Sequence, residues 1–472
     1  MKRLTLIITL LLAACTKATP GIDNPNPGPN RQIDRDIIAY IDKRLTEEYY
    51  WLDEVEQKSH QFDREHCQWS DYLANSLSKL KTNSDDGYVK SNGQRSFYSY
   101  IREYTTSTRA EATGFGLLLH YTILATDREN NHYCFVVDHV YPNSPAAKAG
   151  IKRGDMITMI DSGYITQSNY SSLFNAIQGS TKTGVKLQLM RQTTKESYTV
   201  ELGKATYDES PVAHYEVIEI DDMKIGYLAY LGFESEYDDE LLSALRELAT
   251  EGVQEFVLDL RINRGGSVNS AAKLCSALMP ATFEDSTLCT LMRNPKNMKS
   301  EQKSTFSLKD AGSILSLSNL TVLCSNYSAS ASELVIMGLR GLDVPVRLIG
   351  TQTEGKNCGM DVTRKTISGK NLEFAPITFM CLNAKGEGDW GEGILPDIDL
   401  KDEANSVGVH DTNYPMPRSE WGDHEHDIAL VVALAEITGK SISTPTRASS
   451  IAQYPIAASI EAPMDGIRLY QD

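Results

Sequence analysis

Three kinds of hydrophobic spacing succeed one another along the chain. In DRDIIAYIDKRLTEEYYWLDEV, Ile37, Ile38, Ile41, Leu45 and Tyr49 return at every third or fourth position. That spacing predicts a small helical domain over 32–112, with the aromatic run Tyr49, Tyr50 and Trp51 in its core. Between 113 and 206 the period shortens to that of strands, in GFGLLLHYTI, HYCFVVDHVY, DMITMIDSG and GVKLQLMRQ, with one helical piece at YSSLFNAIQG. From 207 to 400 apolar strand runs (KIGYLAYLGF, QEFVLDL, NLTVLCS, VPVRLIG) alternate with amphipathic helices such as ESEYDDELLSALRELATEG, where Leu241, Leu242, Leu245 and Leu248 face inward. This alternation predicts a layered α/β domain. A C-terminal extension, 401–472, holds one clear helix, DIALVVALAEITG. The expected fold is thus α/β multidomain, with a helical N-terminal domain, a β-rich domain and a larger α/β domain.

Composition narrows the partners. A chain of 472 residues with 46 Lys plus Arg against 63 Asp plus Glu carries a formal charge of -17. Such a balance argues against nucleic acid or an anionic membrane surface as the main partner. The N-terminus is a processing signal: MKR, a short apolar run, then LAAC. The run is too short to span a bilayer. LAAC resembles the lipobox of bacterial lipoproteins, which implies a signal peptide over 1–14, lipid attached at Cys15 and a membrane anchor through it. The implied location is the cell envelope, at the outer membrane of a Gram-negative bacterium, facing either the periplasm or the outside. Residues 15–31, rich in Pro, Asn and Gly, read as a tether. The other seven cysteines are odd in number and irregularly spaced, which is no disulfide framework and no zinc pattern, so they are expected as buried small hydrophobes. His424 and His426 in DHEHD form a pair without a third ligand and read as a solvated loop, so no metal is expected.

Candidate chemistry lies in three separated segments: VLDLRINRGGS at 257–267, NYSASASELVIMG at 326–338 and IGTQTEGKNCG at 349–359. A fourth segment, GEGILPDIDL, closes the domain at 391–400. In this order they resemble the C-terminal processing, or tail-specific, serine peptidase family, whose motifs are a DLRxNxGG turn, an SASASE stretch, a TxGK segment and a closing GxGIxPD. NSPAAKAGIKRGDMITMIDSG, after GFG, resembles a PDZ domain. The resemblance covers about residues 113–400 and implies a crotonase/ClpP-like catalytic domain over 207–400 behind a PDZ domain over 113–206.

Carried over residue by residue, the resemblance implies Ser330 as nucleophile, Lys356 as general base, and the N–H groups of Gly266 and Ala331 as the oxyanion hole. Gly114, Phe115 and Gly116 take the place of the loop that holds a peptide's terminal carboxylate. The chemistry is coherent: a serine hydroxyl needs a base, and a buried lysine can serve as one when its amine is neutral. Ser328 and Ser332 are expected to shape the turn. Where the family carries a glutamine four residues after the lysine this chain has Met360, which leaves a backbone carbonyl, Thr353 or Asn357 to orient Lys356. Asp343 stands two positions beyond the place of a family aspartate. The implied activity is a lipid-anchored serine endopeptidase acting on protein or peptide substrates with no cofactor. The alternative is a non-catalytic peptide-binding lipoprotein that keeps the fold.

Overall fold

The computed structural model describes residues 31–81, 85–89, 95–104, 111–178, 182–191, 194–297, 303–309, 311–400, 419–440, 456–459 and 467–470. Cys15 and the tether lie outside them. No helix among the described residues is long and apolar enough to cross a membrane.

The α/β domain is built on a six-stranded sheet in the order Val212–Ile220, Met223–Tyr230, Glu255–Asp259, Leu320–Cys324, Val346–Gly350, Ile398–Asp399. Its first pair is antiparallel and the rest are parallel. Because successive side chains point to opposite faces of a strand, each buried strand feeds two cores. Leu228, Tyr230, Leu258, Val322 and Leu348 pack with the helices Asp238–Thr250, Val268–Leu278 and Ala331–Gly341. Tyr227, Ala229, Val257, Leu323 and Ile349 pack with the helix Ile428–Thr438. The C-terminal extension therefore completes the second layer. Its helix is fixed by Asp427, which caps the N–H groups of Ala429 and Leu430 and takes two hydrogen bonds from Arg261, at 2.8 and 2.6 Å.

A second sheet runs in the order Lys303–Ser307, Thr287–Arg293, Ile377–Asn383, Cys358–Ile367, Lys370–Ala375, Tyr100–Glu103. The N-terminal region is helical as expected, and the last member of this sheet shows that the expected domain over 32–112 also contributes a strand. The helices there are Gln32–Glu48, Leu52–Lys58 and Trp69–Leu77, and the described residues beyond them include the strands Gly87–Val89, Arg95–Phe97 and Tyr100–Glu103. Tyr100–Glu103 is a strand because it completes the sheet edge of Lys370–Ala375, some 270 positions away in sequence, with Leu372 opposite Glu103 and Ala375 opposite Tyr100. Nor do the three helices have a core of their own: Ile37, Ile41, Leu45, Tyr49 and Tyr72 share one with Cys358, Met360, Phe374 and Ile377.

The PDZ-like unit has a sheet in the order Ser197–Gly203, Gly184–Met190, Met156–Ile160, His132–Val140, Thr122–Asp127, with the helix Tyr170–Gln178 and the core Phe115, Leu119, Phe135, Ile157, Phe174 and Leu187. It is closed by Glu111–Gly114 pairing with Ala205–Asp208.

Candidate active site

The three motif segments leave the carboxyl ends of three neighbouring parallel strands: Leu260–Gly266 after Glu255–Asp259, Ser325–Ser330 after Leu320–Cys324, and Thr351–Lys356 after Val346–Gly350. Such adjacent carboxyl ends are where open α/β sheets form their binding crevices.

The three serines of SASAS differ in what their hydroxyls do. Ser328 Oγ donates to the carbonyl of Leu260 at 2.8 Å and accepts from the N–H of Ser325 at 2.9 Å. Ser332 Oγ donates to the carbonyl of Asn263 at 3.0 Å. Both therefore staple the serine loop to the glycine turn. Ser330 Oγ is buried and donates no hydrogen bond among the described residues, with only the N–H of Glu333 facing it in a capping box. Its backbone sits at φ 63° and ψ -112°, at the entry of the helix Ala331–Gly341. A left-handed φ on a non-glycine residue costs about 1–3 kcal/mol and persists only where the surroundings impose it.

The glycine turn is what imposes it. Gly265 has φ 99°, and a Cβ there would stand 2.7 Å from the Cβ of Ser330 and 2.9 Å from the nitrogen of Ala331. Only a bare backbone can approach the serine so closely. At Gly266, φ 137°, a Cβ would meet the carbonyl of Phe233 at 2.4 Å. Asn263 holds the turn by donating to the carbonyl of Tyr230 and accepting from the N–H of Gly265, each at 2.9 Å. The N–H groups of Gly266 and Ala331 have no acceptor among the described residues.

Glu333, the last letter of SASASE, joins the serine to the lysine. One carboxylate oxygen, Oε2, accepts from the N–H of Ser330 and from the N–H of Lys356, both at 2.8 Å. The two backbones therefore cannot be farther apart than twice that length. The other oxygen accepts from Thr353 Oγ1 at 2.6 Å and from the N–H of Gly355 at 2.7 Å. Burial pushes the Glu333 carboxyl up to about 6 despite these donors. The spacing of Ser330 and Glu333 is that of a capping box. It is the signal by which sequence could have found this residue.

Lys356 is among the most deeply buried large side chains, 1% exposed. Thr353 and Asn357 are engaged elsewhere: Thr353 accepts from the N–H of Ile394 and donates to Glu333, and Asn357 donates to the carbonyl of Gly388. Met360 is fully buried in the core shared with the N-terminal helices. What lies against the amine is the ring of Tyr98, whose centroid is 4.1 Å from Nζ. Tyr98 is held by its neighbours: Asp86 accepts from the N–H and the Oγ of Ser99 at 2.9 and 2.6 Å and from Tyr49 at 2.7 Å, and Ser99 Oγ in turn accepts from the N–H of Ile377. Burial pushes the Asp86 carboxyl up to about 6, against these donors and the nearby Lys356 charge. Nothing in the local sequence marks Tyr98 or Asp86, because they reach the site only through the strand pairing around them. Cys358 is buried, and burial raises its thiol to about 12, so it is a poor nucleophile.

The PDZ-like unit touches the serine loop directly. Tyr327 lies with its ring centroid 5.2 Å from His120 and 5.9 Å from Tyr121, and Arg264 of the glycine turn covers the same ring. Gly114 ends the strand paired with Ala205, and Phe115 is buried, its carbonyl accepting from the N–H of Ala146. The backbone of Gly116 hydrogen-bonds Tyr207. His424 and His426 sit in a loop, where Nδ1 of His426 faces Asp423. No group of three His, Cys, Asp or Glu side chains among the described residues has the geometry of a metal site. All seven described cysteines are buried and none forms a disulfide.

A layered α/β domain with a serine at a strained helix entry, beside a buried lysine, is an arrangement that serine-type hydrolysis can use. Residues 224–400 match the family model of peptidase family S41, and residues 136–191 match a PDZ domain. The larger α/β domain is thus similar to peptidase family S41, and the unit ahead of it to a PDZ domain. The chain is similar to the "Probable CtpA-like serine protease" of Staphylococcus aureus, 24% identical over 330 residues, covering 70% of this chain and 62% of that protein. The chain thus spans about three fifths of the length of that relative. The protein of the same name from Staphylococcus haemolyticus is 24% identical over 403 residues, 84% of this chain and 71% of that one. Among solved structures, a Bacteroides fragilis protein assigned as an S41 protease aligns with TM-score 0.64 and 25% identity, over 85% of this chain and 98% of its own.

Proposed function

We propose that the chain is a lipid-anchored serine endopeptidase of the cell envelope that cleaves protein substrates with a Ser330–Lys356 dyad. The observation that carries this reading is the sorting of the three serines: two are consumed in stapling the loop, while Ser330 has an uncommitted hydroxyl, a strained backbone and a carboxylate shared with Lys356. In the cycle, Lys356 takes the proton of Ser330 Oγ as the oxygen attacks the peptide carbonyl. The developing oxyanion is met by the N–H groups of Gly266 and Ala331 at the entry of an eleven-residue helix, whose dipole favours negative charge there. Lys356 then protonates the leaving amine, and water hydrolyses the acyl-enzyme. Anchoring at Cys15, at the outer membrane of a Gram-negative cell, is supported by LAAC and the tether that follows. The PDZ domain supports a role in holding an extended or C-terminal segment of the substrate, with Gly114, Phe115 and Gly116 at its loop.

The test is cleavage of an unfolded protein by the chain lacking residues 1–15. Wild type cleaves, Ser330→Ala and Lys356→Ala do not, and Ser328→Ala and Ser332→Ala stay within a few-fold of wild type. Failure of the wild type to cleave, with its fold intact, would leave the non-catalytic peptide-binding reading in its place. Radiolabelled palmitate incorporation, lost in Cys15→Ser, tests the anchor.

A further inference from the structure

Two short strands from the end of the chain occupy sheet edges on either side of the site. Ile456–Ser459 is the outermost strand of the PDZ sheet, antiparallel to Thr122–Asp127, with Ser459 opposite Thr122, Ala458 opposite Ile123 and Ile456 opposite Leu124. Ile467–Tyr470 lies parallel to Cys358–Ile367, with Ile467 opposite Gly359 and Tyr470 opposite Val362. The first is the edge on which a PDZ fold adds an extended peptide as an extra strand. Closer to the loop this edge is already occupied by the protein, since Gln178 Oε1 accepts the N–H of Leu119 at 2.9 Å. The second edge begins three residues after Lys356.

The two pairings share one direction of travel. Antiparallel to Thr122–Asp127, the first strand runs from Leu124 toward Thr122 and so toward the loop at 114–116. The parallel pairing of the second strand puts its N-terminal end beside Gly359, at the Lys356 end of its partner. Eight positions separate Ser459 from Ile467, so the two edges stand at most about 29 Å apart. Main-chain pairing at both ends accepts almost any sequence that can be extended, and an open strand edge is a template for it.

We propose that these two edges are the binding track for an extended polypeptide and that the chain's own C-terminal strands occupy it in cis, competing with substrate. This rests on the peptidase reading above. A substrate held in the same way has its N-terminal portion on the PDZ edge and its C-terminal portion on Gly359–Val362, with the bond presented to Ser330 between them.

The test compares the chain without residues 1–15 with the same chain ending at residue 455, and uses a fluorescent synthetic peptide of residues 456–472. A tethered competitor acts at an effective concentration that a free one reaches only in the millimolar range. Truncation is therefore expected to raise kcat/KM on unfolded protein on the order of tenfold, through KM. The peptide should inhibit the truncated enzyme competitively and bind its Ser330→Ala form. Leu469→Pro in the full chain, which places a strand-breaking residue within the paired segment, should give part of the same gain. Equal kinetics in all forms together with no peptide binding would overturn the track and leave the peptidase reading standing. Peptide binding without any cleavage would overturn the peptidase reading and leave the track. If truncation costs the near-ultraviolet circular dichroism of the fold, Leu469→Pro alone decides.

Discussion

The serine side and the lysine side of the site are built by different means. Around Ser330 the restraints are short-range: Ser328, Ser332 and Asn263 bond between two loops that leave neighbouring strands, and Gly265 supplies the close approach. Around Lys356 they are remote, since the ring under Nζ is that of Tyr98, which packs with residues of the second sheet, and the carboxylate that fixes its neighbour Ser99 is that of Asp86. Several small hydrogen bonds hold the loop around Ser330, whose backbone is strained, whereas the Lys356 amine is buried against an aromatic ring. Glu333 belongs to both sides, its carboxylate accepting from the N–H groups of Ser330 and Lys356.

If so, perturbing the shared residue should do the most damage. Glu333→Gln replaces an acceptor oxygen with an amide that faces N–H donors and so displaces Ser330 and Lys356 together. A loss in kcat on the order of a hundredfold or more is expected, with KM little changed, in steady-state cleavage assays. Next comes the lysine side alone. Tyr98→Leu removes the ring and should cost about tenfold in kcat and shift the pH profile, while Tyr98→Phe keeps the ring and should retain activity. Equal losses in both would mean that the hydroxyl, not the ring face, matters.

Acid should act on the shared residue in the same sense. The Glu333 carboxyl titrates at about 6, and its four partners are all donors, so protonation leaves a donor facing donors. Activity is therefore expected to fall as pH drops through about 6, by roughly tenfold per unit below it. The stability linkage of this group has the opposite sign. Its folded value lies above the ordinary 4.5, so the folded form binds the proton more readily and gains, not loses, from this group between about 6 and 4.5. An acid loss of activity with circular dichroism unchanged marks the site, and a coincident loss of both would point to unfolding. Smallest are the staples: Ser328→Ala and Ser332→Ala should each lower stability by about 1 kcal/mol in urea melts and activity only a few-fold.

The same contrast explains what could be read from sequence. The motifs are contiguous in sequence and their strand-turn-helix settings follow from local spacing, so the family resemblance they carry was enough to propose Ser330, Gly266, Ala331 and Lys356. The helix Ile428–Thr438 was equally plain, with Asp427 as its cap. Tyr98 and Asp86 could not be proposed, because the neighbouring YIRE becomes strand only by pairing with a partner some 270 positions away, and a tyrosine gains meaning from the side chain it covers. Asn357 and Thr353, proposed as props for Lys356 from proximity in sequence, bond elsewhere for the same reason: neighbours along a strand end need not face one another.

The most direct test of the central claim is to map the adduct formed by a serine-directed phosphonylating reagent, using mass spectrometry on digested protein. A single adduct on Ser330, absent from Ser330→Ala and strongly slowed in Lys356→Ala, is predicted. An adduct on Ser328 or Ser332, or one that forms equally fast without the Lys356 amine, would contradict the account.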